Sequence, residues 1–388
     1  MHITMTGQPS LCFKQHFLLV ELLKECAKTK NLRKGVSLHS HILEKGLFEK
    51  NPYIGSNLIN MYVRCDMLTT AQQVLDDLPT QDVVSWNALI TGYVRLGQGH
   101  SAILHFQQMR KIGLSPNEVT YICVLKACGS IGAIDMGSQI HEEIVVQGLL
   151  VNTKKRKANV LLGNALVDMY VKCGMLAKAQ KVLGNLPGRD AISWSVVISG
   201  YAQAGRGLEA LECFALMQEE GFSPDDITFT SVLKACSSIG DLDMGKQVHD
   251  QIIRRGFLLE EKHVMLGNAL MDMYAKCGML PKARQVLELL PVRDIVSWNT
   301  LIAGYVQNQQ SHEALDCFAQ MQREGLSPDE TTLACILEVC GNTRDINTGK
   351  QIYNEIVDKG LLKKNLVLAT SLVDMYVKCG MLRKARQV

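Results

Sequence analysis

Between residues 83 and 117 the apolar positions fall into two runs at helical spacing: Trp86, Ile90 and Tyr93, then Ile103, Phe106 and Met109. Gly97 and Gly99 punctuate the chain between them, and Gly113 with Pro116 stops the second run. The pattern predicts a helix, a turn and a second helix. It also recurs. VVSWNALITGY around Trp86 returns as AISWSVVISGY around Trp194 and IVSWNTLIAGY around Trp298. INMYVRCDML at 59–68 returns as VDMYVKCGML at 167–176, MDMYAKCGML at 271–280 and VDMYVKCGML at 373–382. VLKACGSIGAIDMG at 124–137 returns as VLKACSSIGDLDMG at 232–245. Such self-similarity is the mark of stacked supersecondary units.

Three unit lengths alternate. The Trp phrase opens units of 35 residues at 83–117, 191–225 and 295–329. Shorter units of 31 residues precede them at 52–82, 160–190 and 264–294. Longer units occupy 16–51, 118–159, 226–263 and 330–365, and a further short unit opens at 366 and is cut off at 388. Each hairpin has an apolar side too large to bury alone, so neighbours must stack and share one core. The expected fold is all-α, a solenoid of helix-turn-helix repeats after a short N-terminal segment, residues 1–15.

Composition changes this picture little. Apolar residues make up 47% of the chain and aromatics only 6%, as suits helices packed through Leu, Ile, Val, Ala and Met. No run of 18 uninterrupted apolar residues occurs, so no membrane span or membrane partner is expected. The thirteen cysteines mostly fall at repeated positions: Cys26, Cys128, Cys236 and Cys340 form one row, and Cys65, Cys173, Cys277 and Cys379 another. Cys213 with Cys317, and Cys123 with Cys335, form two more, leaving Cys12. Small buried hydrophobes explain these rows better than ligands, and no CxxC spacing supports a zinc site. No metal or other cofactor is expected.

The phrases SWNALITGY, VLKACGSIG, MGKQVH, LVDMYVKCGM and GLSPD, placed within the repeats in the family's order, resemble pentatricopeptide repeat proteins. The match is to the plant variant in which 35-residue (P), long (L) and short (S) motifs alternate, and it covers roughly residues 16–388. The W-x₂-L-G-x₂-Y pattern of tetratricopeptide repeats is absent, although the hairpin architecture is shared. The resemblance implies a right-handed superhelix in which each repeat reads one RNA base with a few side chains. The family's reading positions are the fifth residue of a repeat, on the concave face, and the last residue. The second residue is an apolar wedge beside the base.

Here the fifth residues of the short and 35-residue units are Ser56, Asn87, Asn164, Ser195, Asn268, Asn299 and Thr370, all hydrogen-bonding types. In the long units they are Val20, Ile122, Thr230 and Ala334. The last residues are Asp82, Asn117, Asp190, Asp225, Asp294 and Asp329, which also suit helix N-caps. Val84, Leu161, Ile192, Met265 and Val296 occupy the second position. A carboxamide offers donor and acceptor to a pyrimidine edge, and a small hydroxyl leaves room for a purine. By the family's pairings, Ser56/Asp82 and Ser195/Asp225 resemble readers of G. Asn164/Asp190, Asn268/Asp294 and Asn299/Asp329 resemble readers of U, and Asn87/Asn117 of either pyrimidine. The implied target is 5′-NGYNUGNUUNR-3′, with the long units undecoded and the final R resting on Thr370 without its partner.

Net charge is +3, from 41 basic and 38 acidic residues, a weak electrostatic footprint for RNA unless the charges are sorted between faces. Lys154–Lys157 is the basic cluster, read as a solvated loop within an insertion. His141-Glu142-Glu143 matches the H-x-E of zinc deaminases but lacks the partner C-x-x-C, so no enzymatic activity is expected. The leading expectation is a single-stranded RNA-binding specificity factor for C-to-U editing of organelle transcripts, with a cytidine deaminase or other editing factors supplied in trans. The resemblance alone places it in the mitochondrion or chloroplast, since the first 15 residues make an unconvincing transit peptide. The array stops mid-repeat, which reads as a fragment lacking a C-terminal extension. The competing expectations are a helical protein-interaction scaffold and a truncated, inactive fragment.

Overall fold

The computed structural model describes residues 11–48, 52–151, 156–362 and 365–388. Every regular element among them is helical. In chain order the first are α1 (Leu11–Thr29), α2 (Leu32–Glu44), α3 (Pro52–Arg64), α4 (Leu68–Asp76), α5 (Val83–Arg95) and α6 (Gly99–Lys111). Then come α7 (Glu118–Ile131), α8 (Ile134–Val146), α9 (Arg156–Lys172), α10 (Leu176–Asn185) and α11 (Ala191–Gln203). They continue with α12 (Gly207–Glu219), α13 (Asp226–Ile239), α14 (Leu242–Arg254), α15 (Val264–Lys276) and α16 (Leu280–Leu289). The last are α17 (Ile295–Gln307), α18 (Ser311–Arg323), α19 (Glu330–Thr343), α20 (Ile346–Asp358), α21 (Leu366–Lys378) and α22 (Leu382–Ala385). The helices form two compact units, one reaching Val197 and the other starting at Ile198.

In the first unit, α1, α3, α5, α7 and α9 lie each against the next, while α4, α6 and α8 each touch the helices before and after them. The second unit repeats this, with α13, α15, α17, α19 and α21 stacked in succession. Each odd helix of a stack therefore buries two flanks and an inner side, which is why its sequence is apolar nearly all round. Trp86, Ile90 and Tyr93 sit in the core of the first unit and Trp298, Ile302 and Tyr305 in that of the second. Each such side chain contributes about 1.5–3 kcal/mol by leaving water. The buried indoles keep a polar partner: Trp86 Nε1 donates to Gln81 Oε1 at 3.2 Å and Trp298 Nε1 to Glu324 Oε2 at 3.2 Å.

A small-residue contact recurs where a long unit meets the next short one. A methyl group on Gly137 would sit 2.5 Å from Met169 Sδ, and one on Gly245 2.5 Å from Met273 Sδ. Nearby, His39, His141 and His249 meet the hydroxyls of Tyr62, Tyr170 and Tyr274 through Nδ1, at 2.8, 2.9 and 2.7 Å. Burial lowers the pKa of all three imidazoles. His141 thus serves as a packing residue on α8.

Two helices start earlier than the sequence pattern suggests. The helix α1 begins at Leu11 rather than near residue 16, and α9 begins at Arg156 rather than at 160. Arg156 and Lys157, expected in a loop, belong to the first turn of α9. Lys154 and Lys155, like Cys12's side chain and residues 1–10, lie outside the described part.

Candidate nucleic-acid interface

The fifth and last residues of the units converge at the starts of the first helices, because the last residue of one unit caps the first helix of the next. Asp82, Asn117, Asp225, Asp294 and Asp329 each accept from the backbone N–H three residues on, as does Asp190. Such a cap stabilises a helix by about 1 kcal/mol. At three of these caps, Asn117, Asp190 and Asp329, the side-chain oxygen also meets the fifth residue of the unit that it closes.

In the first unit, Asn87 Nδ2 donates to Asn117 Oδ1 at 3.0 Å. Asn164 Nδ2 reaches both carboxylate oxygens of Asp190 at 3.1 and 3.2 Å. In the second unit, Asn299 Nδ2 donates to Asp329 Oδ1 at 3.0 Å. The pairs inferred from register are therefore bonded pairs at these three places. The other end of each amide is held by a residue that the pattern had not singled out. Thr120 Oγ1 donates to Asn87 Oδ1 at 2.7 Å, Thr332 Oγ1 to Asn299 Oδ1 at 2.6 Å, and Ser193 Oγ to Asn164 Oδ1. These hydroxyls are the third residues of the following helices, where Ser85, Thr120, Ser193, Thr228, Ser297 and Thr332 are all buried. Ser or Thr at the third position of each 35-residue unit and of the long unit after it was the available signal, set against Ile54, Leu162, Leu266 and Leu368 in the short units.

The remaining fifth residues behave differently. Asn268 carries its Oδ1 buried without a hydrogen-bond partner, and the Ser297 hydroxyl beside it donates to Asp294 Oδ1 at 2.8 Å. Ser56, Ser195 and Thr370 bond backward to backbone carbonyls of Tyr53, Ala191 and Val367 at 3.2, 2.9 and 2.8 Å. Ser195 and Asp225 fall on either side of the division between the two units. In the long units Val20, Ile122, Thr230 and Ala334 are half-buried.

The second residues are exposed despite being apolar. Val84, Leu161, Ile192, Met265 and Val296 are 51–79% exposed. Tyr53, Val119, Ile227 and Val367, at the same position in other units, are likewise 51–70% exposed. Apart from Thr331, this register position is apolar, and apolar surface left in water costs free energy in the unbound chain. It offers flat apolar surface next to paired donors and acceptors.

Asp329 shows the electrostatics of a cap. Burial alone would raise its carboxyl, but the Thr332 N–H, the Asn299 amide and the Thr332 hydroxyl together hold it below the ordinary aspartate range. The cysteines carry no comparable activation. Burial pushes the thiols of Cys128, Cys236 and Cys340 up to about 12, so they stay protonated. Among the described residues no group of three His, Cys, Asp or Glu side chains could hold a metal ion, and no helix is long and apolar enough to cross a membrane. An apolar groove of about 830 Å³ between α8 and α10, lined by Ile144, Val145, Val182 and Leu186, lies on second helices and holds none of the paired residues.

The PPR repeat family model matches residues 81–130, 189–238 and 293–342. A PPR repeat model matches 164–189, 227–257, 268–295 and 367–388, so the matched stretches cover more than half of the chain. A mitochondrial pentatricopeptide repeat-containing protein of Arabidopsis thaliana is 31% identical over 97% of this chain and 42% of its own length. A chloroplastic one from the same plant is 34% identical over 97% of this chain and 59% of its own. The chain thus spans about half the length of the curated relatives it matches. Among solved structures, the pentatricopeptide repeat protein PPR10 in complex with an 18-nt psaJ RNA element superposes with a TM-score of 0.64 at 21% identity, covering 88% of this chain and 53% of PPR10. PPR10 from maize gives 0.55 at 18% identity, covering 95% and 68%. By these matches and by its own repeats, the chain belongs to the PPR repeat family.

Proposed function

We propose that this chain binds single-stranded RNA sequence-specifically, and that it acts as a specificity factor for C-to-U editing of organelle transcripts. The observation that carries the reading is the bonded pair of a fifth-position Asn with the cap residue of the next helix, beside an exposed apolar second residue. A flat base stacks on apolar surface, while its edge competes for the amide and the cap oxygen. The crystal structure of PPR10 with an 18-nt RNA supports the RNA partner. The mitochondrial and chloroplastic names of relatives support an organelle.

In this reading Ser56/Asp82 and Ser195/Asp225 take G, Asn164/Asp190, Asn268/Asp294 and Asn299/Asp329 take U, and Asn87/Asn117 takes a pyrimidine. Thr370 contributes a purine preference. Val84, Leu161, Ile192, Met265 and Val296 flank the bases. The assignment to editing rests on the alternation of long and short units. It calls for a cytidine deaminase or other editing factors as partners, this chain supplying recognition and no catalysis.

The test is a gel shift with an 11-nucleotide RNA of sequence 5′-NGYNUGNUUNR-3′ at stated salt. The double variant Asn268→Ser, Asn299→Ser is expected to bind the probe with G at positions eight and nine in place of U, by about tenfold or more over the original. Equal or absent binding of both probes by the folded protein would defeat the base-reading proposal.

A further inference from the structure

The three Asn/Asp pairs assigned to U are built differently. At Asn164 and Asn299 both ends of the amide are engaged: Nδ2 donates to the carboxylate, and Oδ1 accepts a hydroxyl from Ser193 or Thr332. Flipping either amide would set its oxygen against a carboxylate oxygen, so the cap opposes the flip, and the hydroxyl donated to the amide oxygen adds to that preference. At Asn268 the same residue types are present, and the Ser297 hydroxyl meets Asp294 Oδ1 at 2.8 Å just as Ser193 and Thr332 meet their cap carboxylates at 2.9 Å, yet it makes no bond to the amide, whose Oδ1 is buried without a partner. Asp294 is itself exposed, whereas Asp190 and Asp329 are half-buried. Nothing on the oxygen side of Asn268 prefers one orientation of the amide.

We infer that the third-position hydroxyls Ser193 and Thr332 are positioning residues that set pyrimidine discrimination, and that Asn268, which lacks this restraint, reads U and C nearly alike. The inference rests on the base-reading proposal and refines it. Uracil presents carbonyl oxygens and an N3–H donor, whereas cytosine presents an N3 acceptor and an amino donor. An amide held with its N–H₂ toward the carboxylate offers a single pattern, one remaining N–H and one remaining lone pair. That pattern fits one pyrimidine better than the other. A freely turning amide offers either pattern, and its buried oxygen gains a partner whichever base arrives. A rule based only on residue pairs assigns all three positions the same preference; the hydrogen bonding separates them.

The experiment uses the full chain and the 11-nucleotide probe, with single U-to-C changes at position five (Asn164), eight (Asn268) or nine (Asn299). The expected cost is about tenfold in affinity at five and nine but less than about threefold at eight. Thr332→Val, which keeps the shape and removes the hydroxyl, is expected to bring the U-to-C ratio at position nine down to that at eight, leaving position five unchanged. The probe changes need no altered protein, so a poorly folded variant does not rescue the inference. Equal costs at five, eight and nine would overturn it and leave base reading standing. No cost at any of the three would also overturn it, while base reading itself stands or falls on the U-to-G swap.

Discussion

Thr332 unites three roles in one side chain. Its backbone N–H meets Asp329 Oδ1 at 2.9 Å, its hydroxyl lies 2.9 Å from the same oxygen, and that hydroxyl also bonds Asn299. In return the Asp329 N–H donates to Thr332 Oγ1 at 3.3 Å, closing a capping box. Asp329 is held below the ordinary carboxylate range by these donors, against the upward push of burial. A depressed folded pKa contributes stability that is fully present above the unfolded value of about 3.9 and is lost as pH falls through the folded value. Thr332→Val removes the hydroxyl's contacts with Asn299, the Asp329 carboxylate and the Asp329 N–H, and is expected to destabilise the chain by about 1 kcal/mol at pH 7. The gap should narrow in acid, where protonated Asp329 no longer gains from the donors. Melting wild type and variant at pH 7 and near pH 3 checks this; a gap that persists unchanged in acid would show that packing, not the carboxylate, is what the hydroxyl supports.

Elements divide into those whose boundaries chemistry announces and those it does not. The Asp and Asn caps announce the starts of α5, α7, α13, α17 and α19, and all five helices begin one residue after them. At the other end, α7 and α13 close on Gly132 and Gly240 in the left-handed conformation, with φ of 70° and 72°. The equivalent residue after α19 is Arg344, with φ 56°, where a side chain is strained. Arg344→Gly is expected to raise stability by up to about 1 kcal/mol, the relief of a left-handed side chain less the extra freedom of glycine when unfolded. A denaturation midpoint that falls instead would mean that Arg344 makes a contribution outside its backbone. The paired fifth and last residues were legible because their polarity breaks an otherwise apolar helix. The third-position hydroxyls were not, because Ser or Thr near a helix start is ordinary capping chemistry until distance shows a second acceptor. The exceptional state of Asn268 had no signal at all: its neighbours in sequence match those of Asn164.

At the scale of the whole chain, a net charge of +3 leaves open whether binding is driven by phosphates or by bases. The ninth residue of a first helix shares its side with the second and fifth, so this row samples the charge that an RNA on that side would meet. It holds Lys24, Lys126 and Lys234, all exposed, with Lys24 paired to Glu21 at 2.8 Å, but Asp168, Asp272, Glu338 and Asp374 in other units. The three aspartates draw neighbouring lysines into ion pairs of 2.8 Å: Lys172 to Asp168, Lys276 to Asp272 and Lys378 to Asp374. Among the described residues of this row, few cations are thus left to displace counterions from a strand. Each phosphate neutralised on a single strand adds about −0.7 to the slope of log K against log salt. The expected slope for the 11-nucleotide probe is therefore shallow, no steeper than about −3. Lys126→Ala and Lys234→Ala are each expected to flatten it by about 0.7 while weakening matched and mismatched probes alike. Asn299→Ala, by contrast, should lower affinity for the matched probe and leave the slope where it was. Gel shifts across a salt series separate the two behaviours. A slope near −6 with little difference between probes would mean that the chain holds RNA by its backbone, and that the ordered pairs along the first helices serve the fold alone.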